Sequence, residues 1–169
     1  MMAQVHGIRD SLWHQGGQQI AVSNWLTIDQ ERITTFGLNT NDPDRLHIDP
    51  AYAAANGPHG KTISFGFLTM SLLTHFFHDA VISDRSGYAL NYGFDRMRLP
   101  NTVVVGARLR GLFTLLGNEP RGDDRELRRY GVTIEIEGED KPALAGEWLV
   151  MWVDDGIDHM GPQDIGSHG

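Results

Sequence analysis

The apolar positions describe one early strand, then helices, then strands alone. Ile20 to Ile28 is rich in strand formers (Ile20, Val22, Trp25, Ile28) and predicts a first strand. Thr27-Ile28-Asp29-Gln30 has capping-box spacing, with Asp29 and Glu31 suited to a first helical turn, so a short helix is expected from about Asp29 to Leu38, burying Ile33 and Phe36. Asn39 to Asp44 carries turn chemistry. Asp49-Pro50 predicts a helix through Ala55, stopped by Asn56-Gly57-Pro58. From Gly66 to Val81 the residues Phe67, Leu68, Met70, Leu72, Leu73, Phe76, Phe77 and Ala80 cover nearly the whole circumference, as in a central helix wrapped by other structure. Four strand signals follow: Tyr88 to Leu99, Val103 to Leu116, Arg128 to Glu137 with Val132, Ile134 and Ile136 alternating, and Leu144 to Val153. The breaks at Pro100-Asn101, Gly117 to Pro120 and Glu139 to Pro142 read as turns.

This order predicts an α+β fold in which an antiparallel sheet wraps around one buried helix. The sheet's remaining face and edges call for self-association. A chain of 169 residues suits a single domain over 19–153, with a loosely held arm over 1–18 and a glycine-rich tail over 154–169.

Composition narrows the function classes. A formal net charge of −8 argues against nucleic acid and anionic membrane as general partners, because the long-range field repels phosphate. With no cysteine there is neither a disulfide framework nor a thiol nucleophile. The N-terminus lacks an apolar signal core, and the most apolar stretch, Phe65 to Ile82, is interrupted by Thr69, Ser71, Thr74, His75, His78 and Asp79. A soluble, cytoplasmic protein is expected.

Candidate chemistry concentrates between Asn39 and Leu73. A carboxylate, Asp42, precedes an imidazole, His47, in a turn-rich segment, and Gly66 opens the long helix. These provide a proton acceptor, a proton donor and a backbone N–H aimed from a helix N-terminus. Adding water across an activated double bond, or removing it, needs the same parts: water is deprotonated and attacks one carbon, a proton returns to the other, and charge develops on the activating oxygen. A glycine at position 66 also permits close approach of a ligand to the backbone. The competing reading of Asp42 is an Asx-turn or N-cap, and that of His47 a turn histidine bonded to backbone. His59 reads as a loop histidine. Asp49 reads as the cap of the next helix, with Pro50 at its first position. Asp42, Asp44, His47, Asp49 and His59 fit no standard zinc or calcium spacing, so neither a metal nor any other cofactor is expected. His75 and His78 read as core or interface residues. Arg96, Arg98, Arg108 and Arg110 alternate along strands, which suits a solvated face or a clamp for the phosphates of a CoA or phosphopantetheine thioester.

Several blocks together resemble one family. Trp25-Leu26-Thr27-Ile28-Asp29-Gln30, the spacing from Asp42 to His47, His47-Ile48-Asp49-Pro50, Gly66-Phe67-Leu68-Thr69 followed by Ser71-Leu72-Leu73, Asn91-Tyr92-Gly93-Phe94-Asp95-Arg96 with Arg98, and Val105-Gly106 are similar to the MaoC-like dehydratases, in particular their NodN-like branch. The resemblance covers about residues 20 to 115, and the later strands match in pattern only. It implies a hot-dog fold, dimeric or a double hot dog, acting on an acyl-CoA or acyl-carrier-protein thioester. It selects Asp42 over Asp44 as catalytic aspartate, His47 as catalytic histidine, and the Gly66 N–H as the donor to the substrate carbonyl. The implied activity is reversible hydration of a trans-2-enoyl thioester to the (R)-3-hydroxyacyl product. Two positions depart from the pattern. Phe65, preceded by Ser64, stands where many relatives have histidine, and Thr74 lies near a helix serine of the polyester-synthesis hydratases. Ser64, Phe65, Thr74 and Arg98 are therefore candidate substrate contacts. The rival readings are a hot-dog acyl thioesterase and a non-catalytic acyl-thioester-binding subunit.

Overall fold

The computed structural model describes residues 21–81 and 87–154. The proposed arm over 1–18 and the tail beyond Asp154 lie outside the described residues. In chain order the elements are β1 (Ala21–Val22), β2 (Leu26–Thr27), α1 (Gln30–Asn39), α2 (Arg45–Ile48), α3 (Pro50–Asn56), α4 (Gly66–Ala80), β3 (Tyr88–Arg98), β4 (Arg108–Pro120), β5 (Arg125–Ile136) and β6 (Leu144–Val153).

The sheet is antiparallel in the order β1-β4-β5-β6-β3, with β2 also on β4. The single early strand expected over 20–28 is two short pieces, because Ser23 replaces ladder bonds with side-chain ones. Its N–H donates to Gly111 O at 3.0 Å while its Oγ accepts from Gly111 N at 2.9 Å. Strand β4 begins later than the expected Val103. Residues 103–105 instead pair with 62–64, through Ser64 N–H to Val103 O at 2.7 Å and Val105 N–H to Thr62 O at 2.9 Å. The turn expected at Gly117 to Pro120 is strand: a bulge leaves Leu116 unpaired between Leu115 and Gly117, and the ladder runs on to Pro120 opposite Glu126. Pro120 lies at the strand's end, where its missing N–H disrupts least.

Helix α4 packs on the concave face of the sheet. Leu68, Leu72, Leu73, Phe76 and Phe77 are buried against Leu109, Phe113 and Leu115 of β4, Tyr130, Val132 and Ile134 of β5, and Trp148 and Val150 of β6. Phe77 makes edge contacts with Phe113, Tyr130 and Trp148 at centroid distances of 5.3, 5.0 and 5.4 Å, geometry that favours the ring quadrupoles. The helix is not enclosed all round. Phe67 is 76% exposed. His75 and His78 are exposed as well, so neither is a core residue of the protomer. The reason is geometric: one sheet covers one side of a helix, and the apolar residues of the other side are left uncovered. Among the described residues no helix is long and apolar enough to cross a membrane.

Candidate active site

Three short elements bring the candidate residues to the N-terminal end of α4. Asp29 caps α1 from outside, accepting from Arg32 N–H at 2.8 Å, so it precedes the first turn rather than lying in it. Helix α1 ends at Thr40, and Asn41 (φ 54°) takes the left-handed conformation that short polar side chains tolerate. Asp42 follows, its N–H donating to Gly37 O at 2.9 Å. Its carboxylate is exposed and has no hydrogen-bond partner among the described residues. The turn reading of Asp42 therefore holds for its backbone but not its side chain, which stays available.

Asp44 is the N-cap of the single-turn α2, accepting from Leu46 N–H at 2.8 Å, and is thereby committed. Asp49 caps α3 through Tyr52 N–H at 2.9 Å and pairs with Arg45 at 2.9 Å. The Tyr52 amide, and then Arg45, hold its carboxyl below the ordinary aspartate range. Both competing aspartates are thus structural.

His47 lies half-buried in α2. Its Nδ1 is 2.7 Å from Ile63 O. A carbonyl oxygen only accepts, so Nδ1 carries the proton and Nε2 of the neutral ring is the acceptor. One ring face stacks on Phe65 with centroids 3.8 Å apart and planes 29° apart. Phe65 is the N-cap of α4, and it provides no side-chain cap. The first N–H groups of α4, that of Gly66 among them, thus lack the usual side-chain acceptor and carry the positive end of the helix dipole.

Phe65 joins these parts. A Cβ on Gly37 would lie 2.8 Å from Phe65 Cζ and 3.0 Å from Asp42 O, so α1, the Asp42 backbone and the Phe65 ring meet where only glycine fits. A Cβ on Gly66 would lie 2.6 Å from Leu99 Cδ1, which brings the end of β3 and the neighbouring Arg98 to the same helix terminus. These contacts bring the Asp42 backbone, His47, Phe65 and Gly66 to one end of α4, with Leu99, the residue after Arg98, against the same terminus.

The other candidates divide. Phe65 is buried and packs on His47 and Phe36. Ser64 is buried, its Oγ donating to Phe65 O at 3.2 Å. Thr74 is two turns along α4 and lines a cavity of about 520 Å³ with Phe77, His78, Asn91, Trp148 and Trp152. Of the four arginines, Arg108 and Arg110 pair with Glu137 at 2.8 Å and Glu135 at 2.6 Å and stand over Trp25, while Arg96 pairs with Glu147. The strict alternation breaks in β3, at a register shift between Asp95 and Arg98 where Arg96 has φ 51°. Arg98 bonds only the neighbouring Met97 O, at 2.8 Å, and has no carboxylate partner among the described residues. Among those residues no group of three or more His, Asp or Glu side chains could hold a metal.

Two residues of this site escape a reading of motifs alone. Gly37 carries a signal, since a mid-helix glycine costs about 1 kcal/mol against alanine and needs a packing reason. Gln30, inside the Trp25–Gln30 block, donates from Nε2 to His47 O at 2.8 Å.

Residues 14–135 match the MaoC like domain. The chain belongs to that family. This MaoC-like protein is 40% identical over 136 residues to Nodulation protein N of Rhizobium leguminosarum bv. viciae, across 80% of this chain and 84% of that one. It is 38% identical over 137 residues to 3-hydroxyacyl-thioester dehydratase Z of Mycobacterium tuberculosis, across 81% and 90%. The unliganded R-hydratase PhaJ1 of Pseudomonas aeruginosa shares its fold, with TM-score 0.67 and 19% identity over 92% of this chain and 96% of that one. The expected hot-dog fold is thus the one observed.

Proposed function

We propose that this MaoC-like protein hydrates trans-2-enoyl thioesters, and dehydrates 3-hydroxyacyl thioesters in reverse. The observation that carries the reading is the fixed tautomer of His47 beside the uncapped N-terminus of α4. Nε2 of His47 and the exposed carboxylate of Asp42 hold one water. As its oxygen bonds Cβ, its proton passes to this pair, and the electrons of the double bond move through Cα toward the thioester oxygen. The Gly66 N–H accepts that charge by donating to the oxygen, a contribution of about 3 kcal/mol in comparable sites. The pair then returns a proton to Cα, so water is added whole. Each proton transfer by a positioned group contributes about 10²–10⁴-fold.

Arg98, without a carboxylate partner among the described residues, is the arginine we assign to a phosphate of the thiol carrier, CoA or carrier protein. The cavity beyond Thr74 suits an acyl chain, and Phe65 acts as the support of His47. The exposed apolar edge of β3 (Tyr88, Leu90, Tyr92, Phe94), together with Phe67, supports association with a second copy.

The test follows enoyl-thioester absorbance with crotonyl-CoA and longer trans-2-enoyl-CoAs, for wild type and Asp42→Asn. Conversion by wild type that falls by about 10²-fold or more in the variant supports the reading. Release of free thiol instead would make the protein a thioesterase. A tight acyl-CoA complex without conversion would make it a binding subunit.

A further inference from the structure

The one-turn helix that carries His47 is too short to hold it. Helix α2 has four residues, and its terminal carbonyls lack partners within the turn. Within the turn the His47 N–H is held by Asp44 O at 3.0 Å, while its carbonyl and ring are fixed by tertiary bonds, and these form a closed ring of groups. Gln30, the first residue of α1, donates from Nε2 to His47 O at 2.8 Å and to Thr34 Oγ1 at 3.1 Å. Its Oε1 accepts from the hydroxyl of Thr62, a residue 1% exposed. Thr62 is held in turn by Val105 N–H on its carbonyl, at 2.9 Å. The next residue, Ile63, presents the carbonyl that takes the His47 Nδ1 proton.

The chemistry of each atom leaves one arrangement. The His47 carbonyl only accepts, so the Gln30 nitrogen must face it and the Gln30 oxygen must face Thr62. That oxygen also only accepts, so the Thr62 hydroxyl must donate. The His47 carbonyl thereby sets the flip of the amide, and the buried Thr62 hydroxyl anchors the amide oxygen in that orientation. Adjacent residues of one extended segment hold His47 at both ends, Thr62 through Gln30 at the main chain and Ile63 at the ring.

We propose that Gln30 is a positioning residue for His47 and that Thr62 fixes the orientation in which it acts. The pair keeps the peptide of His47 close enough to Ile63 for Nδ1 to stay protonated and Nε2 to stay the acceptor. This rests on the reading of His47 as the water-binding base, but half of its test does not.

Four variants of the full chain serve: Gln30→Glu keeps the shape and loses both Nε2 donors, Thr62→Val keeps the shape and loses the hydroxyl, Thr62→Ser restores it, and His47→Asn identifies the ring signals. Nitrogen-15 NMR of the labelled imidazoles reads the tautomer without substrate. Wild type is expected to show His47 protonated at Nδ1, and both loss variants a shift of population toward Nε2–H, with Thr62→Ser returning to the wild-type signal. On crotonyl-CoA, kcat should fall by about 10- to 100-fold in the loss variants, as for a misplaced group, with KM within about twofold. Gln30→Glu breaks the bond to the His47 carbonyl and Thr62→Val the bond to the Gln30 amide oxygen, so either one, once shown folded by its thermal transition, decides the matter. A wild-type His47 protonated at Nε2, an unchanged tautomer in a folded loss variant, or equal loss in Thr62→Ser and Thr62→Val would overturn the proposal. If wild type turns over no enoyl thioester, the functional reading falls while the NMR result still decides the positioning.

Discussion

The two ends of α4 are built on different principles. Its N-terminal end is a junction of short elements joined by polar contacts: the Gln30 amide, the Ile63 carbonyl, the Asp42 turn and an uncapped helix terminus. Its C-terminal half, ~12–20 Å along the axis at the ordinary helical rise, is aromatic packing. There Phe77 meets Phe113, Tyr130 and Trp148, and Trp152 stacks with the buried Arg128, whose guanidinium pairs with Glu126. Burial in that surrounding pushes the Tyr130 hydroxyl up to about 12. Direction-dependent bonds can aim a reactive atom, whereas area-dependent packing can only hold a shape. The first end therefore suits proton transfer and the second suits stability and the fit of an apolar chain.

This contrast predicts opposite responses to substitution. The largest effect belongs to Asp42→Asn, which should abolish most turnover and leave the thermal midpoint near wild type, because the side chain is exposed and has no partner among the described residues. A large fall in stability would break the contrast at the site end. Phe77→Ala should do the reverse, costing about 3–5 kcal/mol in denaturant unfolding as a large aromatic deletion does. Its residual turnover on short substrates should exceed that of Asp42→Asn.

Gly37→Ala sharpens the comparison, since it adds bulk where the two principles meet. The new methyl meets the Phe65 ring and the Asp42 carbonyl, an overpacking cost of about 1–3 kcal/mol. Better helix propensity regains about 1 kcal/mol, so the net loss of stability is small. Because Phe65 supports His47, turnover should fall further than stability does, and a kcat near wild type would sink that link.

The smallest effect is at Asp49. Its carboxyl is held below the ordinary aspartate range by the Tyr52 amide and Arg45, so the folded state favours the charged form. That stability is present above the unfolded aspartate value of about 4 and is lost as pH falls through the lower folded value. Asp49→Asn should flatten this part of the acid stability profile, and an unchanged acid limb would contradict it.

Much of this was legible from local chemistry. Helix α4, helix α3 with its Asp49 cap and Pro50, and the alternation of β5 all follow from periodicity and capping, which neighbouring residues determine. The candidate site was legible because Asp42, His47 and Gly66 fall within one segment, and the resemblance of several ordered blocks selected Asp42. Arg96 and Arg98 depart from the expected alternation, since a bulge in β3 shifts the faces and no residue-type rule places it, whereas Arg108 and Arg110 keep it. The ends of β4 and β5 moved because partner strands, not turn residues, decide where a ladder stops.

Sequence by itself determined most of the elements, the fold class and the candidate groups, because propensity, periodicity and functional-group chemistry are properties of residues and their neighbours. Only the tertiary structure decided which nitrogen of His47 is free, which aspartate is spent on a cap, and which face of α4 stays open. Those depend on atoms distant in sequence: Ile63 lies 16 residues from His47 and Gln30 lies 17. A hydrogen bond acts over about 3 Å whatever the separation along the chain, so the fold alone brings its partners together.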